Sequence, residues 1–290
     1  AQPALFALQA GLVALWKSWG VVPDIVLGHS AGEIAAAAAA GLIGLEDGVR
    51  FAARRGAAMA DMAPGAMAMV FAPAPEVAAL IAARQLPLSI AASNCPNETV
   101  VSGEAKAIVA LANGSLKTKA LAVAYAFHSS HVDPVLERIA GAAGFLAQHP
   151  AERTLLCNLD GLALTPGQRL PRNYWSRQAR EPVAFDRALM ALAAAAPTAC
   201  IEIGPRPALL PLVRRSGEKL ADIPCLPSLR ADDTGLDTLH QSVAALYRIG
   251  VPIDWAGLHH GRGRRRIAVP TTPFESRRHW IEATPKPTAV

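Results

Sequence analysis

The feature that most constrains the fold is a serine held between glycines, where a short apolar segment meets an alanine-rich one. The triplet Ile25-Val26-Leu27 is followed by Gly28-His-Ser-Ala-Gly32, and small apolar residues then continue to Gly41. The triplet predicts a strand and the alanine-rich run predicts a helix. A strand–GxSxG–helix unit holds the serine oxygen clear of the sheet at the helix N-terminus, as nucleophilic serines require.

The pattern GxSxG is weak on its own, because serine is also a favoured helix N-cap. A nucleophilic serine needs a base within reach. His29 is adjacent to Ser30, so its side chain should diverge from the hydroxyl. His128 and His131, in YAFHSSH, both follow a predicted strand and could return to the serine. Spacing alone leaves the choice between these two histidines open.

Composition restricts the class of protein. The chain has 290 residues, 52% of them hydrophobic, and a mean hydropathy of +0.25. These values predict one large α/β domain or two smaller ones with a substantial core, and they exclude extensive disorder. We expect no membrane-spanning segment and no signal peptide. The cysteines form no CxxC pair, which predicts reduced thiols in a cytoplasmic protein and no metal site. They are Cys95, Cys157, Cys200 and Cys225.

The net charge of +5 is concentrated near the C-terminus. No aromatic residues interleave these arginines and no nucleic-acid-binding motif is present, so we predict a solvated linker or an inter-domain contact and no nucleic acid binding. A general preference for anionic partners, such as a phosphorylated cofactor or an acidic carrier protein, stays possible. The arginines are Arg262, Arg264, Arg265, Arg266, Arg277 and Arg278.

The order of predicted elements indicates an insertion. Apolar spacing predicts helices over 3–19 and 46–62 on either side of the serine motif. A βαββαβ pattern then follows, which is typical of a compact ferredoxin-like unit. Its members are predicted at 67–71, 75–83, 88–93, 99–101, 104–112 and 120–124.

The remainder predicts a return to the larger domain. A helix is expected over 134–149, a strand, turn and helix around Gly204-Pro205, a helix over 236–249, and an extended linker from Val251. We therefore predict an α/β fold with an α/β-hydrolase-like large subdomain and an inserted ferredoxin-like small subdomain. The predicted boundaries are 1–62 and 125–226 for the large subdomain, 63–124 for the small one, and 227–290 for a C-terminal helix and linker.

Seven motifs, in order along the chain, resemble those of one family. The chain resembles the acyltransferase domain of a type I polyketide synthase, followed by its linker, and is thus similar to the malonyl-CoA:acyl carrier protein transacylases. The motifs are GHSAGE, RRGAAM, NCPNETVVSG, YAFHS, NYWSRQAREPVAF, IEIGPRPAL and VPTTPFESRRHW.

The resemblance implies roles for particular residues. Ser30 is the implied nucleophile, His128 its base, and the Ala31 amide one donor to the oxyanion. Arg55 matches the residue that holds the malonate carboxylate, for which a planar guanidinium is well suited. The backbone carbonyl of Gln178 matches the group that orients the histidine in place of a triad aspartate.

Two residues beside the histidine bear on the choice of extender unit. Family members that use malonyl units tend to carry HAFH, and those that use methylmalonyl units tend to carry YASH. This chain has a hybrid, with Tyr125 from one pattern and Phe127 from the other. The Phe127 ring would fill the space that an α-methyl branch needs, so malonyl is expected.

The function that the resemblance implies is acyl transfer from malonyl-CoA to the phosphopantetheine arm of an acyl carrier protein, with no bound cofactor or metal. Expected partners are the carrier and flanking ketosynthase and other synthase domains. Alternatives are a serine hydrolase or editing acyl hydrolase, a methylmalonyl-selective enzyme, and a degenerate structural module. The family's upstream GQGxQ segment does not occur in this sequence, so a longer synthase is expected, and Arg206 replaces a frequent histidine.

Overall fold

The structure is a computed structural model that describes residues 1–233, 236–265, 267–277 and 279–280. Its described residues divide into two units, one over Ala1–Leu258 and a second that begins at His259. The first unit has a mixed α/β fold with a large subdomain and an inserted ferredoxin-like one, as predicted. No helix in these ranges is long and apolar enough to cross a membrane.

The first elements of the large subdomain surround the serine motif. Strand β1 ends directly before the motif, and the alanine-rich helix α2 begins directly after it. Helices α1 and α3 pack against each other, and Phe6, Trp16 and Phe51 are among their buried side chains. The elements are α1 (Gln2–Ser18), β1 (Ile25–Leu27), α2 (Gly32–Ala39) and α3 (Leu45–Ala60).

The inserted subdomain has the predicted βαββαβ order. Its strands lie in the order β5-β2-β4-β3 and pair antiparallel, while a later strand adds to β3 in parallel. Val70, Val77, Val101 and Leu111 are buried in its core. The elements are β2 (Ala66–Val70), α4 (Ala74–Ala83), β3 (Leu88–Cys95), β4 (Glu98–Gly103), α5 (Ala105–Ala112) and β5 (Thr118–Ala120).

The segment that enters this subdomain and the segment that leaves it lie next to each other. Pro64 and Tyr125 form an isolated antiparallel bridge, and the Gly65 amide donates to the Ala124 carbonyl over 2.9 Å. The predicted strand over 120–124 lies a little earlier in the structure, at Thr118–Ala120. The bridge brings the segment that carries His128 back to the large subdomain.

The next elements complete the sheet beside the serine. Strand β6 pairs parallel with β1, with Leu27 opposite Leu156, and β7 pairs antiparallel with β6. The helix predicted over 134–149 is shorter, because Pro134 lies in a 3₁₀ turn (Ser130–Val135) and the α-helix ends at Gly144. The elements are α6 (Leu136–Gly144), β6 (Thr154–Leu156), β7 (Ala163–Leu164), α7 (Tyr174–Arg180), β8 (Val183–Ala184) and α8 (Phe185–Ala194).

The last elements of the first unit form a third packing region. Strands β9 and β10 pair parallel, and helix α11 packs on β10. Trp16, Trp19 and Val243 share the same core cluster, so the helix predicted over 236–249 belongs to the compact unit that ends at Leu258. The elements are β9 (Cys200–Glu202), α9 (Leu210–Arg215), α10 (Glu218–Ala221), β10 (Cys225–Pro227), α11 (Asp237–Arg248) and α12 (Trp255–His259).

The second unit is mostly irregular. Beyond His259 its described residues contain no helix or strand. Arg277 lies 3.5 Å from Glu275, and the Phe274 side chain is 90% exposed. Arg266 and Arg278 of the predicted basic linker lie outside the described residues.

Candidate active site

The turn between β1 and α2 is strained at Ser30, whose φ is +52°. A left-handed conformation is uncommon for a residue other than glycine and must be stabilised by its surroundings. Gly28 permits the turn, because a Cβ atom there would lie 2.4 Å from the backbone of Glu33. The first turn of α2 therefore folds back directly over the end of β1.

Ser30 and His128 are in direct contact. Ser30 Oγ lies 2.7 Å from His128 Nε2. His128 is itself left-handed, with φ +56°, and its side chain is buried. Of the two histidines that spacing left open, His128 contacts the serine, whereas His131 lies in the 3₁₀ turn that follows, Ser130–Val135. His29 lies 2.9 Å from Asn94 Oδ1, so its side chain diverges from the hydroxyl as expected.

The other ring nitrogen of His128 meets a backbone carbonyl. His128 Nδ1 lies 2.9 Å from the oxygen of Glu181, three residues after Gln178. The 2.9 Å contact is thus made by the Glu181 carbonyl, whereas the carbonyl predicted to orient the histidine was that of Gln178. The Gln178 carbonyl also interacts with this imidazole, and it raises the pKa of His128 by less than the Glu181 carbonyl does.

The environment of His128 keeps its imidazole neutral. Burial lowers its pKa to about 3, and the positive charge of Arg55 adds to this effect. The hydrogen bond to the Glu181 carbonyl opposes the shift but does not cancel it. A neutral imidazole whose Nδ1–H donates to a carbonyl presents Nε2 as an acceptor for the serine proton.

The backbone amides at the start of α2 differ in their availability. The Ser30 amide donates to Asn158 Oδ1 over 2.7 Å and is therefore occupied. The Ala31 amide has no acceptor within the described part of the chain. At the N-terminus of α2 it adds to the positive end of the helix dipole, a position that favours negative charge.

Arg55 reaches the site from the middle of α3. Its side chain is buried, with 1% exposure, and Nη1 donates to Gln2 Oε1 over 2.7 Å. Nη2 donates to Gln178 Oε1 over 3.4 Å, while Nε has no acceptor among the described residues. Burial lowers the pKa of Arg55 to about 10, so the guanidinium is charged near neutral pH.

A buried polar cluster that the sequence did not indicate lies beneath the serine. Glu33 Oε1 accepts from Tyr174 Oη over 2.5 Å and from the Asn158 amide over 2.8 Å. Burial raises the pKa of Glu33 to about 7 and also raises that of Tyr174. Asn158 follows β6, so only a correct prediction of that short strand would have placed it beside the end of β1.

The remaining predicted residues, Tyr125 and Phe127, lie in the segment that leads into His128. The rings of Tyr125 and Phe127 lie 5.9 Å apart, and Tyr125 Oη donates to the Ala60 carbonyl over 3.2 Å. Phe127 is partly buried, and its carbonyl accepts from Ser102 Oγ. The four cysteines are free thiols, and the described residues contain no group of histidine, cysteine, aspartate or glutamate side chains suited to a metal ion.

The sequence model of the acyl transferase domain matches residues 1–252. The chain belongs to this family. Over 97% of its length, the chain is 37% identical to the spectinabilin polyketide synthase system protein NorA' of Streptomyces orinoci, and the match covers 8% of that protein. Over 97% of its length, the chain is also 35% identical to erythronolide synthase EryA3 of Saccharopolyspora erythraea, and the match covers 9% of that protein. The chain thus spans less than a tenth of the length of these two relatives.

Solved structures of acyltransferase domains share its fold. The domain from the second module of the salinomycin polyketide synthase matches with a TM-score of 0.84 and 34% identity, over 93% of this chain and 64% of that one. MCAT from Mycobacterium tuberculosis matches with a TM-score of 0.70 and 32% identity, over 80% of this chain and 78% of that one. The acyltransferase domain is therefore an enzyme of the acyltransferase class.

Proposed function

We propose that the domain transfers a malonyl unit from CoA to the phosphopantetheine thiol of an acyl carrier protein, through an acyl-Ser30 intermediate. The observation that carries this proposal is the 2.7 Å contact between Ser30 Oγ and His128 Nε2. The buried guanidinium of Arg55 is connected to the same serine through Gln178.

The first half-reaction forms the acyl-enzyme. His128 Nε2 takes the hydroxyl proton as Ser30 Oγ attacks the thioester carbonyl, and the Ala31 amide stabilises the oxyanion. The tetrahedral intermediate collapses with cleavage of the carbon–sulfur bond, and the protonated imidazole returns its proton to the CoA thiolate. The Glu181 carbonyl, at 2.9 Å from Nδ1, holds the imidazole in the required tautomer.

The second half-reaction reverses the first with a different thiol. His128 takes the proton of the phosphopantetheine thiol, whose sulfur attacks the ester carbonyl, and Ser30 recovers its proton as the acyl group leaves. Neither half-reaction requires a metal or a bound cofactor. The domain would then act beside a ketosynthase and other domains of a cytoplasmic polyketide synthase.

Arg55 supplies the reason to expect an acyl unit with a free carboxylate. A buried donor without an acceptor is costly, and Arg55 Nε is such a donor in the described structure. A carboxylate bound through Nε and one terminal nitrogen would satisfy it with two charged hydrogen bonds. One structural neighbour, at 29% identity, is the acyltransferase domain of SpnD in complex with a substituted malonyl group.

Phe127 supplies the expected preference for malonyl over methylmalonyl units. It directly precedes His128, and its ring packs against Tyr125 and the surrounding core. A difference of one methyl group in a pocket is worth about 1–3 kcal/mol, so we expect a preference of roughly 10–200-fold. The preference is measured by letting malonyl-CoA and methylmalonyl-CoA compete and weighing the acylated protein by mass spectrometry. Phe127→Ser should reduce the ratio of malonyl to methylmalonyl loading.

Acylation of the intact protein tests the proposed function. Incubation with malonyl-CoA should add one malonyl mass, which a pantetheine thiol then removes, and Ser30→Ala should gain none. Malonyl mass on Ser30→Ala would refute the intermediate, while release to water as fast as to the thiol would indicate a hydrolase.

The carboxylate site has a matched control in the neighbouring residue. Arg55→Ala should lower malonyl loading relative to acetyl loading by at least about 10-fold, because a charged hydrogen bond is worth about 1.5–3 kcal/mol. Arg54→Ala should leave the ratio unchanged, since Arg54 is exposed and lies over the Phe145 ring. Equal losses of both acyl groups in Arg55→Ala would make Arg55 structural.

A further inference from the structure

The strained backbone of Ser30 is held by a side-chain amide on each side. Its N–H donates to Asn158 Oδ1 over 2.7 Å, and its carbonyl accepts from Gln178 Nε2 over 2.8 Å. A left-handed serine persists only where its surroundings determine its conformation. The two peptide groups of Ser30 are thus fixed by two different segments of the chain.

Asn158 extends the sheet beyond its last backbone pair. The β1–β6 ladder ends at Leu27 and Leu156, and Asn158 lies two residues further along. Its Nδ2 donates to the Gly28 carbonyl over 2.7 Å while its Oδ1 accepts from Ser30. One side chain therefore supplies the donor and the acceptor that a continued strand would have supplied, and it spans the turn.

Gln178 joins the same serine to Arg55. It lies on α7 with 1% exposure, and its Oε1 accepts from Arg55 Nη2 over 3.4 Å while its Nε2 donates to Ser30. The amide cannot rotate by half a turn without placing its NH₂ group against the guanidinium. The charge of Arg55 therefore fixes which end of Gln178 faces the serine.

The supports of Asn158 and Gln178 are linked. The Asn158 backbone amide donates to Glu33 Oε1, to which Tyr174 Oη also donates. Tyr174 lies on α7, as Gln178 does, and Asn158, Glu33 and Tyr174 are all buried. Helix α7 thus contributes to the placement of both amides.

We infer that Asn158 and Gln178 are positioning residues that hold Ser30 in its left-handed conformation and so direct Oγ at His128. Neither residue has to touch the substrate for this role. Gln178 additionally connects the carboxylate site to the nucleophile. The inference rests on the proposed acyl-Ser30 intermediate, and its test therefore includes a reagent that reports on the serine without malonyl-CoA.

The test compares Asn158→Leu, Gln178→Met and the double variant with the wild-type protein. Two rates are measured well below each melting temperature: malonyl loading at saturating malonyl-CoA, and labelling of Ser30 by a fluorophosphonate probe. Thr99→Val is the matched control, because it removes a buried hydrogen bond to the Ala72 carbonyl in the small subdomain. Gln178→Glu is added because it keeps the acceptor for Arg55 and loses the donor to Ser30.

We expect each single variant to lose roughly 10–100-fold in both rates, the scale expected when a reacting group is misplaced. The KM for malonyl-CoA should change by less than about 3-fold, as expected for a loss of positioning and not of binding. The double variant should lose less than the product of the single losses, because both act on one residue. Gln178→Glu should behave like Gln178→Met, and Thr99→Val should stay close to wild type.

Wild-type rates in folded Gln178→Met or Asn158→Leu would overturn the inference. If Asn158→Leu does not fold, Asn158→Ala, which loses both the acceptor for the Ser30 amide and the donor to Gly28, takes its place, and an unchanged labelling rate there is equally decisive. A wild-type protein that reacts with the probe but does not load malonyl would refute the proposed function alone. In that case the labelling rates of the variants decide the inference. A wild-type Ser30 that does neither would refute both.

Discussion

At the scale of single residues, backbone strain coincides with the chemistry. Ser30 and His128 both have positive φ, at +52° and +56°, and their side chains meet at 2.7 Å. Such conformations cost on the order of 1–3 kcal/mol each and are retained where they serve a purpose. Here the positive φ of Ser30 directs its hydroxyl toward His128, and the positive φ of His128 directs its imidazole toward Ser30.

Strain at Ser30 predicts an unusual order of stabilities. Glycine adopts a positive φ freely and alanine does not, so Ser30→Gly should be more stable than Ser30→Ala by about 1 kcal/mol. At an ordinary helical site the order is reversed. The free energies of unfolding of the two variants, measured in urea, provide the comparison. A more stable alanine variant would show that the backbone of Ser30 is not strained in solution.

The low pKa of His128 predicts the pH profile of acylation. A base with a pKa of about 3, and not the ordinary 6.5, stays unprotonated in mild acid. The kcat/KM of malonyl loading should therefore not fall between pH 7 and about pH 5. Burial is the larger cause and Arg55 the second, so Arg55→Gln should move the acidic limb of acetyl loading to higher pH. A limb near pH 6.5 in the wild-type protein would contradict this burial effect.

The chemistry of residue types accounts for which site residues the sequence could identify. A serine between glycines and a histidine beside a strand carry recognisable chemistry, and the resemblance supplied Arg55. Asn158 and the Glu181 carbonyl carry no such recognisable chemistry, because asparagine side chains and backbone carbonyls occur throughout any chain. The position of Asn158 depends on pairing between β1 and β6, a strand more than a hundred residues away, and that of Glu181 depends on the end of α7.

At the scale of elements, the junction of β1 and α2 predicts two opposite outcomes for two glycines in one motif. A Cβ at Gly28 would lie 2.4 Å from the Glu33 backbone, so Gly28→Ala should lose about 1–3 kcal/mol or more. A Cβ at Gly32 would meet nothing nearer than Gln9 Nε2 at 3.8 Å, and alanine favours a helix, so Gly32→Ala should change stability by less than about 1 kcal/mol. Urea midpoints measure both, and similar losses would mean that the helix does not fold back over the strand.

A short element is indicated by the sequence only where a recognisable motif adjoins it, as GxSxG adjoins β1. The alternating and helical patterns of the small subdomain are local, and its βαββαβ order was predicted correctly. Strand β6 has three residues and β8 has two, too few for a period to be visible. Helix α7 was also missed, because its seven residues include the polar Ser176, Arg177 and Gln178.

At the scale of the whole molecule, buried titratable groups oppose one another in their effect on stability. The folded-state pKa of His128 lies below its ordinary 6.5, so its contribution is present above pH 6.5 and is lost as the pH falls toward 3. The folded-state pKa of Glu33 is raised from 4.5 to about 7, so its contribution is present below pH 4.5 and is lost as the pH rises through 7. Stability carried by these two groups is therefore greatest in mild acid.

Replacing Glu33 should remove the loss of stability that its carboxyl group causes as the pH rises through 7. Glu33→Gln keeps an oxygen that can accept from Tyr174 and Asn158, but it no longer titrates. Relative to wild type, its free energy of unfolding should rise between pH 4.5 and about pH 8, by on the order of 1–3 kcal/mol. The His128 contribution is common to both proteins and cancels in the difference. Urea unfolding at several pH values measures it, with Glu46→Gln, an exposed carboxylate on α3, as the control for charge removal. A difference that stays constant with pH would place the pKa of Glu33 at its ordinary value and would contradict the burial of this carboxyl group beneath the serine.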